Sequence, residues 1–343
     1  QWIISPPTRT GGIEDLEWLL FLGAALAGWG FCHPVGFLLR RLEMWDQPNE
    51  RSSHQKPVLR GGGLAVVLVL ALVIIGWVHP ENSSLAYGWL GALLLLGWVN
   101  FLDDRGHVAK RIRLLAQIIA VATLMVALGF SPALGLGIGF LLLSFVNFVN
   151  FIDGINGLAA GQLLLIAAGA ALFYSWQTGK FTGAHFVLAV AFAGALAGFL
   201  PMNFPKPKMF LGDTGSVLLG FSCGVMIIWM CLDQPRMWLC LFPLCSYFFL
   251  EGGVTLVRRI IAGEKWWLPH REHFFHRLIR SGWSHSKTTM VIWMVQVALT
   301  LVLWRALAIE ASVLWFWLTP LVAWGAFFGF AETKFRRSQR EAD

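Results

Sequence analysis

The chain has 343 residues, of which 57% are hydrophobic and only 13% charged, with a mean hydropathy of +0.65 and a formal net charge of +7. That composition excludes an ordinary soluble domain and leaves a polytopic membrane protein, because apolar runs of roughly 17–22 residues, long enough to cross a ~30 Å hydrocarbon core as helices, recur through all but its two ends. The positive balance reads as loop charge facing anionic lipid headgroups and anionic substrates, so nucleic acid is not needed as a partner.

Eleven spans are expected, near residues 17–39, 61–79, 85–102, 112–130, 134–151, 158–175, 184–201, 214–232, 237–257, 288–306 and 312–331. The expected fold class is therefore all-α integral membrane, with a single catalytic domain over 17–331 between an external tail at 1–16 and a cytoplasmic tail at 332–343. An odd number of spans puts the termini on opposite sides, and Lys and Arg choose between the two orientations. With the N-terminus periplasmic and the C-terminus cytoplasmic, cytoplasmic segments hold 22 of the 26 basic residues, leaving only Arg9, Lys180, Arg236 and Arg305 outside. The cytoplasmic loops are then 40–60, 103–111, 202–213 and 258–287. The first apolar run lacks the basic start and short core of a cleavable leader, so it is expected to be a span.

Eighteen tryptophans fit the same picture, since Trp18, Trp77, Trp89, Trp98, Trp238 and Trp317 fall toward span ends, where amphipathic rings favour the interface. Cys32, Cys223, Cys231, Cys240 and Cys245 are scattered in or beside apolar runs without a CxxC pair and read as small packing residues.

Chemistry enters at the span ends. Asp103 and Asp104 close the third span in NFLDDRGH, followed by Arg105, Lys110, Arg111 and Arg113. Adjacent residues on a helix point roughly 100° apart, so one acid can face a metal while its neighbour faces a second substrate, with the basic residues holding a phosphate. In NFVNFIDGINGL, Asn147, Asn150 and Asp153 recur every three residues and share one arc of a helix, a polar stripe that needs a polar neighbour. Asn147 also suits a hydrogen bond that simply ties two spans together. Gly154 and Gly157 allow a ligand close to the backbone.

The segment MNFPKPKMFLGDTGS ends one span at its prolines and opens the next at Gly212–Asp213–Thr214. A helix N-terminus with small residues favours phosphate oxygens, and Asp213 there can anchor Mg²⁺ bridging them or serve only as a cap. The last long loop supplies His270, Arg271, His273 and His276 after Trp266 and Trp267. A zinc site is conceivable for histidines three apart, but beside oxygen-rich acids they read better as phosphate or nucleotide contacts. Buried carboxylates are costly unless paired, and four of them, at the ends of three spans, converge on one membrane face. A transporter or flippase with ion-coupling acids is the alternative; it calls for midplane acids and paired repeats, whereas these acids sit at span ends and no repeat is evident.

These motifs together carry a resemblance. DDR with a downstream RLLAQ, NxxNFxDGxNGL, NxPxxxxFLGDTGS, HREHFFHRL and the earlier PNERSSHxxPxxRGGG resemble the polyprenyl-phosphate N-acetylhexosamine-1-phosphate transferase family, in the family's order over residues 45 to 290. The resemblance implies a Mg²⁺-dependent enzyme of the bacterial inner membrane, with Mn²⁺ as a substitute ion. It would join the phosphate of undecaprenyl phosphate to the β-phosphorus of a UDP-N-acetylhexosamine in a cytoplasmic-side groove, releasing UMP. It implies Asp103, Asp104, Asp153, Asp213 and His273 as catalytic residues, with Asp213 and Asp104 at the metal. It further implies substrate contacts from Asn147, Asn150, Asn203, Arg60, Arg113, His54, Arg271 and His276, among which Arg113 would clamp the lipid phosphate and Asn203 would touch the nucleotide-sugar. The family often forms dimers, so a homodimer is implied as well. One-step displacement and a covalent phospho-aspartate route both fit.

The chain also departs from the family pattern. His107 stands where many relatives carry a third acid, and Phe275 replaces a histidine of the loop motif. The histidine triplet of the phospho-MurNAc-pentapeptide branch is absent, which points to the branch that initiates O-antigen or related surface polysaccharides. GlcNAc, FucNAc and QuiNAc all stay open as the sugar.

Overall fold

The computed structural model describes residues 14–47, 56–106, 108–265 and 271–341. Each of the eleven apolar runs is helical, because in an apolar setting only a helix satisfies its own backbone hydrogen bonds. In chain order the helices are α1 Glu14–Arg41, α2 Leu64–Val73, α3 His79–Glu81, α4 Ser83–Arg105, α5 Lys110–Ala127, α6 Pro132–Ile152 and α7 Leu158–Thr178, then α8 Ala184–Asn203, α9 Gly212–Asp233, α10 Trp238–Leu244, α11 Ser246–Ile261, α12 Phe274–Arg280, α13 His285–Ala308 and α14 Val313–Arg340. Among the described residues nine helices are long and apolar enough to cross a membrane, and a bent pair, Pro235–Leu244 with Ser246–Ile261, raises the count to ten. The bend of 56° follows Pro243, whose ring cannot continue the hydrogen-bond ladder. α5 matches the expected 112–130 run, but Lys110, Arg111 and Arg113 in its first turns keep it short of the same test.

α9 is the axis of the bundle. Its apolar stretch is 94% buried, against 22% for α13 and 28% for α14 on the rim. A helix apolar all round must be enclosed, and α9 lacks any charged residue between Asp213 and Asp233. α8 achieves close contact with α1 through a small-residue spacing, Gly194 and Gly198: a side-chain carbon at Gly194 would strike Phe21 O, and one at Gly198 would strike Ala25 O.

The helical framework, as expected all-α in class, carries one small addition. Three short strands, β1 Trp45–Asp46, β2 Val58–Arg60 and β3 Met209–Phe210, form a small sheet in the order β1-β2-β3. β2 runs antiparallel to β1 and parallel to β3, pairing Arg60 with Phe210. The sheet joins the two loops expected at 40–60 and 202–213 and brings the starts of α2 and α9 together, where Gly63 and Gly215 meet backbone to backbone. Only glycine fits at Gly212, which has φ +76° and stands against Gly61 N.

Of the tryptophans expected at the interface, Trp18, Trp77, Trp98 and Trp317 are exposed and Trp238 is half-buried. Trp89 is instead fully buried and donates to Ser222 Oγ at 3.3 Å, so it belongs to the core between α4 and α9. The five cysteines are all buried and unbonded to one another.

Candidate active site

Asp213 sits in the first turn of α9, and the fold aims two guanidinium groups at it. Arg60, at the end of β2, places Nη2 at 3.1 Å from Oδ1, and Arg113, one turn into α5, places Nη1 at 3.3 Å from Oδ2. Each arginine is also held by a second acid: Arg60 Nε by Asp104 at 2.7 Å, and Arg113 Nη1 by Asp103 at 2.6 Å. The three carboxylates and two guanidinium groups thus form one chain, Asp104–Arg60–Asp213–Arg113–Asp103. Charge-assisted pairs of this kind are the stronger sort of hydrogen bond, and they hold three acids together that would otherwise repel.

The two adjacent acids have different jobs. Asp104 is fully buried and accepts the backbone N–H of Asp213 at 3.1 Å, that of Thr214 at 3.0 Å and the Thr214 hydroxyl at 2.6 Å. It is therefore the N-terminal cap of α9, supplied from α4, and the capping role open to Asp213 falls to Asp104. Four donors, the Arg60 guanidinium among them, converge on the two Asp104 oxygens. Asp103 accepts Val108 N at 2.9 Å besides Arg113 and keeps some exposure.

The polar stripe of α6 divides. Asn150 reaches α9, donating to Ser216 Oγ at 2.8 Å and to Asp213 Oδ1 at 3.3 Å. Asn147 donates to Gln117 Oε1 of α5 at 2.9 Å, so it ties two helices rather than facing Asp213. Asp153 lies one residue past the helix, at the α6 C-cap, and is half-buried. Burial pushes its carboxyl up to about 7, and the charge of Asp213 adds to the rise.

Asn203 is 2% exposed, and both ends of its amide serve the fold: Oδ1 accepts Gly157 N at 2.9 Å and Nδ2 donates to Met209 O at 3.0 Å. It fastens the turn after Asp153 to the strand before Asp213. α12 closes the other side. A side-chain carbon at Gly154 would lie 3.2 Å from His276 Nε2 and from the Phe275 ring, which places His276 beside the Asp153 turn. His273 is buried, stacked 5.3 Å from Phe275, with Nδ1 at 3.3 Å from Glu251 Oε1. Arg271 is exposed before α12. His54, His107, His270, Trp266 and Trp267 lie outside the described residues.

A family model described as glycosyl transferase family 4 matches residues 86–231, the stretch holding Asp103, Asp153 and Asp213. A decaprenyl-phosphate N-acetylglucosaminephosphotransferase of Mycobacterium leprae is 31% identical over 83% of each chain. The chain belongs to the polyprenyl-phosphate N-acetylhexosamine-1-phosphate transferase family. It is similar also to a probable undecaprenyl-phosphate N-acetylglucosaminyl 1-phosphate transferase of Bacillus subtilis, 27% identical over 79% of this chain and 78% of that one. An undecaprenyl-phosphate alpha-N-acetylglucosaminyl 1-phosphate transferase of Escherichia coli is 26% identical over 74% of each. The resemblance carried by the motifs holds, and the protein is a multi-pass membrane enzyme, a sugar-phosphate transferase.

The Asp213 site suits the Mg²⁺ expected of this family by its donor chemistry. Among the described residues no three His, Cys, Asp and Glu side chains gather as a ready-made metal cage. Mg²⁺ needs fewer: one or two carboxylates, with phosphates and water completing an oxygen shell. Asp213 shares one guanidinium group with Asp103, that of Arg113, and another with Asp104, that of Arg60, so either neighbour would complete a pair of oxygen donors with it.

Four residues of the site were not singled out in the sequence: Thr214 and Gln117, which lie within motifs as partners of Asp104 and Asn147, and two acids outside any motif, Glu251 and Glu332. Glu332 of α14 pairs with Arg277 of α12, with Arg258 at 3.8 Å and with Arg336 at 2.7 Å, anchoring the histidine segment from behind. Glu251 and Glu332 lie in or at the end of apolar runs, the same signal that marked the four aspartates.

Proposed function

We propose that this transferase moves an N-acetylhexosamine-1-phosphate, N-acetylglucosamine being the first candidate, from a UDP-linked donor to undecaprenyl phosphate. The product would be undecaprenyl-diphosphate-sugar, with UMP released, as the first membrane step of O-antigen or related surface polysaccharide synthesis. The reading includes eleven crossings, α5 among them, with the Asp213 face toward the cytoplasm of the bacterial inner membrane.

The observation that carries this reading is the pair of guanidinium groups held on Asp213 at the start of a buried helix. The reaction must bring two anions together, the acceptor phosphate and the donor diphosphate, and positioned positive charge is the main aid a protein can give. Arg60 and Arg113 supply it. In the free enzyme they are neutralised by carboxylates, and phosphate oxygens arriving at the site take over part of that pairing. The acceptor oxygen then forms a bond to the β-phosphorus while the bond to the UMP oxygen breaks, and UMP leaves with the electron pair. Asp153, beside His276, would meet the donor. Mg²⁺ held by Asp213 with Asp104 or Asp103 would neutralise charge on the phosphates being exchanged. Curated relatives whose names specify polyprenyl-phosphate acceptors and N-acetylglucosamine support the substrate class.

The test is UMP release by the purified protein with undecaprenyl phosphate and a panel of UDP-N-acetylhexosamines, with and without Mg²⁺. Wild type should release UMP with at least one donor, and Asp213→Asn should fall by two orders of magnitude or more. No UMP from any donor, or an Asp213→Asn variant as fast as wild type, would end this reading.

A further inference from the structure

We propose that Glu251 is the positioning residue of His273, fixing both the tautomer of its imidazole and the placement of α12 over the Asp153 turn. The inference rests on the transferase reading above and gives a function to a carboxylate that no motif marks.

Glu251 lies in the middle of α11, in the apolar stretch SYFFLEGGV, and its side chain is fully buried. A lone acid in such a place is costly unless it has a task, and its partners identify one. Oε1 accepts the backbone N–H of Phe274, the first residue of α12, at 2.7 Å, and the same oxygen stands 3.3 Å from His273 Nδ1, close enough for charge attraction but not aligned as a hydrogen bond. One oxygen of a spanning helix therefore governs the first residue of α12 and the histidine just before it.

Capping alone does not account for a carboxylate here. Helix caps are ordinarily supplied by a nearby Ser, Thr, Asp or Asn, without burying an acid in an apolar helix. What a carboxylate adds is a choice of proton position: an acid beside Nδ1 favours the proton on that nitrogen. The lone pair is then on Nε2, in a ring whose centroid lies 6.3 Å from that of His276. A histidine so held can accept a proton or a hydrogen bond at one defined atom.

The frame behind Glu251 is rigid. Its neighbour Gly252 is pressed onto Phe148 of α6, where any added side-chain carbon would collide with the ring. Phe148 is two residues before Asn150, which touches Asp213. α6 thus locates Asn150 on one side and, through α11, the Glu251 carboxylate on the other. His273 is placed relative to Asp213 through this frame, although the two are 60 positions apart in the chain.

The experiment uses the full-length enzyme in lipid nanodiscs. Glu251→Gln keeps the size of the side chain and an oxygen for Phe274 N–H while removing the charge beside His273. It should lower kcat at least roughly tenfold, with KM for the UDP-sugar within about twofold of wild type. The loss should vanish when His273 is already replaced: Glu251→Gln/His273→Ala should be as slow as His273→Ala alone. Full activity of Glu251→Gln, or an equal loss in both backgrounds, overturns the proposal.

A second readout does not depend on turnover. In ¹⁵N-histidine spectra, the signal missing from His273→Ala should report an Nδ1–H tautomer in wild type and a mixture in Glu251→Gln. An Nε2–H tautomer in wild type overturns the pairing, a result obtained even where Glu251→Gln fails to fold. Should wild type transfer no sugar phosphate from any donor while the tautomer still follows Glu251, the reaction reading falls and the pairing stands.

Discussion

Asp104 caps the helix that Thr214 begins, taking that residue's backbone N–H at 3.0 Å and its hydroxyl at 2.6 Å across a sequence separation of 110. The contact welds the end of α4 to the start of α9, and the same carboxylate holds Arg60. Structure and chemistry are therefore separable among these acids.

Asp104→Asn should destabilise the protein as well as inactivate it. An amide offers one acceptor oxygen where four donors converge, and breaking a buried charged pair costs about 3–5 kcal/mol. Thermal unfolding in detergent should show a melting temperature lower by several degrees than in Asp213→Asn, although both variants release little UMP. Equal stability of the two variants would count against the capping role.

Arg113 bridges Asp103 and Asp213 with one Nη1, a geometry that a flexible ammonium reproduces poorly. Arg113→Lys should raise KM for undecaprenyl phosphate roughly tenfold, about 1.4 kcal/mol, with a smaller effect on kcat. A change confined to the KM of the UDP-sugar would move Arg113 to the donor side.

Asp153 predicts a pH effect with a definite sign. Its carboxyl titrates at about 7 in the folded protein against 3.8 in an unperturbed chain, so between those values the folded state keeps a proton that the unfolded state has lost. Stability from this group is present at low pH and declines as pH rises toward 7. Asp153→Asn cannot ionise, so it should match wild type below about pH 4 and melt several degrees higher near pH 8. Melting curves that stay parallel across this range would refute the assignment.

Orientation can be read with one engineered thiol, because all five native cysteines are buried. Arg280 is exposed at the end of α12. Arg280→Cys should resist a membrane-impermeant maleimide in intact cells and label after lysis. Labelling from outside would invert the topology.

Much of this enzyme could be read from its sequence, and the limits have physical causes. Apolar length sufficed to locate the helices, and acids at span ends located the site, since both signals are local. Strands of two or three residues have no periodicity, so the sheet that delivers Arg60 to Asp213 left no trace. The division of labour between Asp103 and Asp104 depends on which helix each one meets, as does the pairing of Asn147 with Gln117. Asn203 lay within a motif, yet it turned out to hold two loops together, because a motif marks a position without saying what the side chain touches there. Glu251 carried the right signal without a motif around it.

The glycines of α8 extend the site's reach into the lipid-buried core. Gly194 and Gly198 let α8 lie directly on the backbone of α1, and α8 ends at Asn203, the residue that ties the Asp153 turn to the strand leading into Asp213. A methyl group added at Gly198 would push the helices apart one turn from that tie. Such a variant, altered far from any charged group, would present in an assay as a defect in substrate handling.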